Sequence, residues 1–210
     1  MPRKLGQHFL KNESALRKII AALELKSGET VIEIGAGHGE LTKPIIEICR
    51  KLDCKVVAVE KDPALGDRLE VLGFRENLEI VHGDALKLLA PITYNLTPNT
   101  FKIVGNIPFY ITGRLLRNIS ELKNKPELCV LTLQKEVVER ICAEPPRMNR
   151  LGASVQFWAE PKIIGFISKK DFSPPPEVDS AIIKLKNRDL KSGIKEENYY
   201  RMVRILFKQP

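Results

Sequence analysis

Three short stretches hold residue types that could do chemistry. EIGAGHG (33–39) sets Gly35, Gly37 and Gly39 directly after an apolar run, while KVVAVE (55–60) ends on Glu60 and LEIVHGDA (78–85) carries Asp84 at its end. Glycines let a backbone approach a ligand closely. A carboxylate 25 residues past Gly35 is placed to accept hydrogen bonds from a ribose diol. The next acid, Asp84, is placed to accept from an adenine amino group. The GxGxG spacing differs from the GxGxxG fingerprint of pyrophosphate-binding turns, which disfavours a dehydrogenase. It suits a nucleoside with an amino-acid tail and no phosphate, and S-adenosylmethionine is such a molecule. A lone GxGxG is equally an ordinary tight turn; Glu60 and Asp84 in register weight the reading toward a cofactor. Glu33, between apolar neighbours, serves either to orient the glycine loop or only to complete the core.

The fourth stretch, GNIPFYITG (105–113), holds no strong acid, base or nucleophile. Its chemistry is positional. An adenine N6 nitrogen is a poor nucleophile because its lone pair is delocalised into the ring. Acceptors aimed at its two N–H bonds favour a more tetrahedral nitrogen and stabilise the positive charge that develops there. Asn106 can supply a side-chain carbonyl and Ile107 a backbone carbonyl, the latter biased toward extended backbone by Pro108. Phe109 can stack on a base that has left its helix. By itself Asn-Ile-Pro-Phe is a turn with a buried aromatic; after a strand, in a chain with a methyl-donor site, it reads as a target-base pocket.

These residues need a parallel sheet to bring them together. Asn12 can cap a helix with Leu16, Ile19, Ile20 and Leu23 at helical spacing, and strands are expected at 30–35, 55–60, 78–85, from 101, and at 127–134. Helices are expected over 41–51, from Pro63, around Leu115 and Leu116, and over 135–143, with a loop at 91–100. Strands that are apolar throughout and alternate with helices indicate an α/β domain with a mostly parallel sheet. Strands at 161–168 and 180–186, joined by the loop DFSPPPEVD (171–179), suggest an antiparallel hairpin at its edge. The last segment reads as an amphipathic helix with Tyr199, Val203, Leu206 and Phe207 on its apolar stripe.

Composition bounds the partners. The chain has 210 residues, 43% of them apolar, and a formal net charge of +8, which fits a polyanionic partner. Arg114, Arg117, Lys123, Lys125, Arg147 and Arg150 cluster around GNIPFYITG and the segments after it, and about half are expected to touch phosphates, the rest forming a solvated face. No apolar run reaches the ~20 residues of a membrane span, and no apolar leader opens the chain. Cys49, Cys54, Cys129 and Cys142 show no CxxC pairing and read as buried apolar residues in a reducing, cytoplasmic setting; three scattered histidines do not make a metal site.

The chain resembles the ribosomal RNA adenine N6-dimethyltransferase family over nearly its whole length. The resemblance rests on GQHFL (6–10), EIGAGHGELT (33–42), VEKD (59–62), GDAL (83–86), GNIPFYI (105–111), LQKEVVERICAEP (133–145) and FSPPPEVDSAIIKL (172–185). The family's NLPY motif stands here as NIPF, keeping amide, proline and aromatic. The resemblance implies a Rossmann-like, seven-stranded methyltransferase fold with S-adenosylmethionine as cofactor. It implies that Gln7, His8, Leu10, Gly35, Gly37, Glu60, Lys61, Asp84, Ala85 and Asn106 surround the cofactor and that Asn106, Ile107, Pro108 and Phe109 face the target. It further implies a monomer acting on rRNA in the small ribosomal subunit, at adjacent adenosines near the 3′ end. The superfamily's other branch modifies a large-subunit adenosine; a non-catalytic RNA-binding assembly factor on the same fold is the third reading. The family continues into a small helical C-terminal domain, so residues 1–186 are expected to form the catalytic domain and 187–210 a linker and the start of that second domain.

Overall fold

The computed structural model describes residues 7–70, 76–97, 100–188 and 196–207. In chain order its elements are β1 (Phe9–Leu10), α1 (Glu13–Ala22), β2 (Thr30–Ile34), α2 (Thr42–Leu52), β3 (Lys55–Glu60) and α3 (Pro63–Glu70). Then follow β4 (Leu78–His82), α4 (Ala85–Thr93), β5 (Phe101–Asn106), α5 (Thr112–Glu121), β6 (Leu128–Gln134) and α6 (Lys135–Ile141). The last are α7 (Arg150–Trp158), β7 (Ala159–Ile167), β8 (Phe172–Ser173), β9 (Ser180–Asn187) and α8 (Glu196–Leu206).

Seven strands form one sheet in the order β4-β3-β2-β5-β6-β9-β7. The first five are parallel, and β9 runs antiparallel to both β6 and β7. The expected hairpin is therefore present, with β7 as the edge strand. Chain direction across the sheet reverses between β2 and β5, and in such sheets the crevice outside the carboxyl ends at the reversal is where ligands bind. That places the residues following Ile34, Glu60, His82 and Asn106 around one opening.

The central strands β2, β3, β5 and β6 are buried on both faces, as their unbroken apolar runs require, while the edge strands β4 and β7 are only partly covered. One face packs Ala15 and Ile19 of α1 with Ile45, Ile46 and Cys49 of α2 against Val31, Val56 and Val130. The other packs Leu89, Leu115, Ile119, Val138 and Trp158 against Ile32, Ile103 and Leu131. Each such side chain contributes about 1.5–3 kcal/mol by leaving water.

Two helices went unread in the sequence, the first because its cap, Asp84, was assigned to the cofactor. Asp84 Oδ1 accepts from Leu86 N at 3.0 Å and starts α4, so residues 91–93 are helical rather than loop. Asn149 Oδ1 accepts from Gly152 N at 3.0 Å and starts α7, whose buried face carries too few polar residues to show a helical pattern. The terminal helix α8 forms, with Val203 buried and the Tyr199 ring stacked on Phe157 at 4.0 Å. Leu206 does not join the stripe: it is 73% exposed, because Tyr199 and Tyr200 make the contact with Phe157 instead. The expected linker falls mostly on residues 189–195, outside the described residues.

The cysteine expectation needs correction. Cys49 and Cys54 form a disulfide, both fully buried, while Cys129 is free and buried and Cys142 free and half-buried. Between them Asp53 ends α2 in left-handed backbone (φ 52°), and the Cα atoms of Cys49 and Cys54 stand 4.6 Å apart.

At the amino ends of the strands, away from the crevice, Lys102 is 1% exposed. Its Nζ donates to Glu29 Oε2 at 2.8 Å and to the Glu24 carbonyl at 2.6 Å. No helix among the described residues is long and apolar enough to cross a membrane.

Candidate active site

β2 leads into a turn whose Gly35, Gly37 and Gly39 have φ of +73°, +59° and +88°. Gly37 also needs its missing side chain: a Cβ there would stand 3.0 Å from the Phe9 ring. Gly105 in β5 is required by a close approach, since a Cβ would lie 2.5 Å from the Ile34 carbonyl oxygen.

Glu60 fastens this turn to the end of β3. Its Oε2 accepts from Gly37 N at 2.9 Å and its Oε1 from Asp62 N at 2.8 Å, in a side chain only 4% exposed. Each oxygen keeps a further lone pair for a ligand hydroxyl. Next to it, Lys61 Nζ donates to Asp84 Oδ2 at 3.0 Å. Burial pushes the Asp84 carboxyl up, but Lys61 and the Leu86 N–H outweigh it and hold the group below the usual range. Asp84 is therefore an acceptor at neutral pH, still with lone pairs to spare.

The amide of Asn106 has a defined orientation. Its Nδ2 donates to the His8 carbonyl at 2.7 Å, which a side-chain oxygen could not do. Oδ1 is thereby left as an acceptor. The next residue is pinned as well, with Ile107 N donating to Thr132 O at 3.1 Å. His8 Nδ1 lies 2.8 Å from the Pro174 carbonyl, and the His8 and Phe109 rings face each other at 6.2 Å with a 31° tilt.

Gln7, His8, Gly35, Gly37, Glu60, Lys61, Asp84, Ala85, Asn106, Ile107, Pro108 and Phe109 all line one cavity of about 280 Å³. Leu10 does not. It is 2% exposed and packs with Ile19, Ile45 and Phe172, because strand alternation turns Phe9 toward Gly37 and Leu10 into the core. The cavity also takes Tyr110, Arg114, Phe172, Pro176 and Ser180, which sequence reasoning did not assign to it. Phe172 and Pro176 lie in the quoted FSPPPEVDS stretch; β1 pairs with β8, Phe9 opposite Ser173 and Leu10 opposite Phe172, and this ladder brings both segments over the opening.

Glu33 is not part of the lining. It is fully buried with Oε2 unpartnered among the described residues, and burial, opposed by Thr42 and reinforced by Glu40 and Glu60, pushes its carboxyl up to about 8. A neutral acid beside Glu60 avoids a second buried negative charge under the turn.

The glycine turn, a ribose-height carboxylate and an acid at the third strand end fit a nucleoside cofactor without phosphate, and no group of three metal-ligating side chains occurs among the described residues. Fold and site together define a Rossmann-like, S-adenosylmethionine-dependent methyltransferase. The same fold recurs in an S-adenosyl-homocysteine complex of TrmK from M. capricolum, with a TM-score of 0.57 at 12% identity, covering 90% of this chain and 74% of that one.

The particular family follows from closer likenesses. The family model for ribosomal RNA adenine dimethylase matches residues 1–210, and the chain belongs to that family. It is 39% identical over 206 residues to ribosomal RNA small subunit methyltransferase A of Dehalococcoides mccartyi strain CBDB1, covering 97% of this chain and 69% of the relative. Its structure is similar to a dimethyladenosine transferase from Plasmodium falciparum, with a TM-score of 0.82 and 29% identity over 96% of this chain and 71% of that one. It is also similar to the 23S rRNA methyltransferase ErmE, with a TM-score of 0.77 and 29% identity over 95% and 78% of the two chains.

Proposed function

We propose that this chain dimethylates N6 of adjacent adenosines near the 3′ end of small-subunit rRNA, with S-adenosylmethionine as methyl donor. The orientation of Asn106 carries this reading: His8 O engages Nδ2, so Oδ1 is left as an acceptor in a residue that lines the same cavity as Glu60 and Asp84. The small-subunit names of the relatives support the choice of rRNA over the large-subunit alternative.

When bound, the donor supplies an electrophilic sulfonium methyl group. Glu60 would accept from its ribose hydroxyls, Asp84 from its adenine amino group, and the Gly35–Gly39 turn would admit its amino-acid tail. On the target side, Asn106 Oδ1 accepts from one N6–H and the Ile107 carbonyl from the other. These acceptors draw the N6 lone pair out of conjugation and stabilise the charge that grows on nitrogen. Phe109 stacks on the extruded base, worth ~1–3 kcal/mol. No strong base is needed: as the N–C bond forms, the donor's S–CH3 bond breaks and its electron pair stays on sulfur as a neutral thioether, and the N6 proton, now acidic, leaves through the accepting oxygens to solvent. The second transfer reuses the same residues after the singly methylated base rotates its remaining N–H toward Asn106.

The deciding experiment incubates the chain with unmethylated small ribosomal subunits and labelled donor, then maps methyl groups by mass spectrometry of the rRNA. Two methyl groups on each of two neighbouring adenosines are expected. Methyl groups at other positions of that rRNA, or none while the donor binds, would reject the proposal.

A further inference from the structure

The imidazole of His8 has no duty in the mechanism, although its backbone does. The His8 carbonyl orients the Asn106 amide at 2.7 Å, so the residue stands beside the atoms that react. Its ring lines the same cavity and faces the Phe109 ring at 6.2 Å. A carbonyl oxygen only accepts, so the 2.8 Å contact with the Pro174 carbonyl requires a proton on Nδ1. With Nδ1 committed, the charge of the ring is decided at Nε2. Bare, Nε2 leaves the imidazole neutral; protonated, it makes a cation.

No anion among the described residues holds that cation. The ring's hydrogen bond goes to a neutral carbonyl. The carboxylates that line the cavity are engaged elsewhere, Glu60 by the Gly37 and Asp62 amides and Asp84 by Lys61. Tyr110 and Arg114, on the helical turn after Asn106, line the cavity as well. On the glycine turn, the His38 ring packs on Phe9 and Glu40 accepts from the His38 N–H. Lys11 follows β1, and the segment around Pro174 carries Lys169, Lys170, Asp171, Glu177 and Asp179, the last accepting from Lys169 N. None of these side chains is bonded to the His8 ring among the described residues.

The donor brings a positive charge on sulfur, and that charge passes to N6 during transfer. N6 lies within hydrogen-bond reach of Asn106 Oδ1, and the sulfonium is one methyl group away. A second positive charge on His8 opposes both. We infer that the His8 imidazole selects for the charge of the bound cofactor: neutral, it admits the sulfonium donor, and protonated on Nε2 it repels it. The spent product, S-adenosylhomocysteine, has the same adenosine and amino-acid tail but an uncharged sulfur, so it escapes the repulsion. Acid therefore shifts the site from donor toward product. The inference rests on the donor assignment and not on which RNA is methylated.

The test measures dissociation constants of donor and product by calorimetry from about pH 5 to pH 8, the window in which histidines change charge. The readout is the ratio of the donor constant to the product constant. Titration of groups that meet the shared adenosine and tail, Glu60 and Asp84 among them, cancels in this ratio. In the wild type the ratio should rise about tenfold from the alkaline to the acid end, the size expected for two charges several ångströms apart in a partly hydrated site. In His8→Asn, which keeps the backbone carbonyl but cannot ionise, the ratio should stay flat, and product binding at pH 8 shows that the variant is folded. A second measurement needs no variant: at pH 6, NMR should find the His8 ring protonated in a smaller fraction of the donor complex than of the product complex, because the coupling is reciprocal. A constant ratio in the wild type would overturn the inference, as would equal ring protonation in the two complexes or an equally steep ratio in His8→Asn. Failure of the RNA-methylation reading is seen separately, in the rRNA mapping, and leaves the ratio untouched.

Discussion

Glu33 offers a prediction whose size can be worked from its surroundings. Its carboxyl rises from 4.5 in the unfolded chain to about 8 in the fold, because burial removes it from water. The folded chain therefore keeps a proton that the unfolded chain gives up between pH 4.5 and about 8. In that window the native state binds more protons, so stability falls as pH rises. The contribution is complete below the unfolded value and is lost once pH passes about 8. At 1.36 kcal/mol per pH unit, a shift of this size amounts to roughly 5 kcal/mol. Glu33→Gln keeps the shape and polarity but cannot ionise, so its stability should be flatter across the window by a few kcal/mol. Above pH 8 it should be the more stable protein. Urea denaturation at pH 6, 7, 8 and 9 checks this, with the single buried Trp158 as fluorescence reporter. Other titrating groups cancel in the difference between the two proteins. Parallel pH profiles would refute the reasoning and mean that Glu33 is ionised in the fold, with a partner on Oε2.

Removal of the ribose acceptor, Glu60→Ala, should weaken donor binding by ~1–3 kcal/mol in calorimetry, the range for a hydrogen bond to a charged group; unchanged affinity would remove Glu60 from the cofactor site. Asn106→Ala should lower kcat far more than RNA affinity, because its Oδ1 acts mainly as charge develops on N6; a variant with most of its turnover would make the turn structural. Lys102→Ala leaves Glu29 buried without its cation and should cost about 3–5 kcal/mol in urea denaturation. Donor affinity measured well below the melting temperature should not change, since Lys102 lies at the far end of the strands.

The ends of the parallel strands were legible because their residue types repeat one physical demand. An apolar run buried on both faces must stop where the chain meets the crevice, and Gly35, Glu60, Asp84 and Asn106 mark those stops. Spacing alone then brings them around one opening, since parallel strands in one sheet present their carboxyl ends together. Caps were harder to read. Asp84 both starts α4 and faces the cavity, and a single residue type cannot announce two duties.

What the sequence determined by itself is the alternating α/β pattern, the glycine turn, and the acids and amide at the strand ends, because each follows from local periodicity or from a residue's own chemistry. Tertiary structure decided the rest, because it depends on pairs far apart in the chain. The Asn106 amide is oriented by a carbonyl 98 residues away. Phe172 reaches the cavity only through the pairing of β8 with β1, and that same pairing turns Leu10 away from it. A second cavity is lined by residues of α5, α6, α7 and α8, with Arg117 and Arg204 in one lining though 87 residues apart. A local pattern carries the direction of a side chain relative to its own element, whereas the partner it meets is set only when distant elements pack.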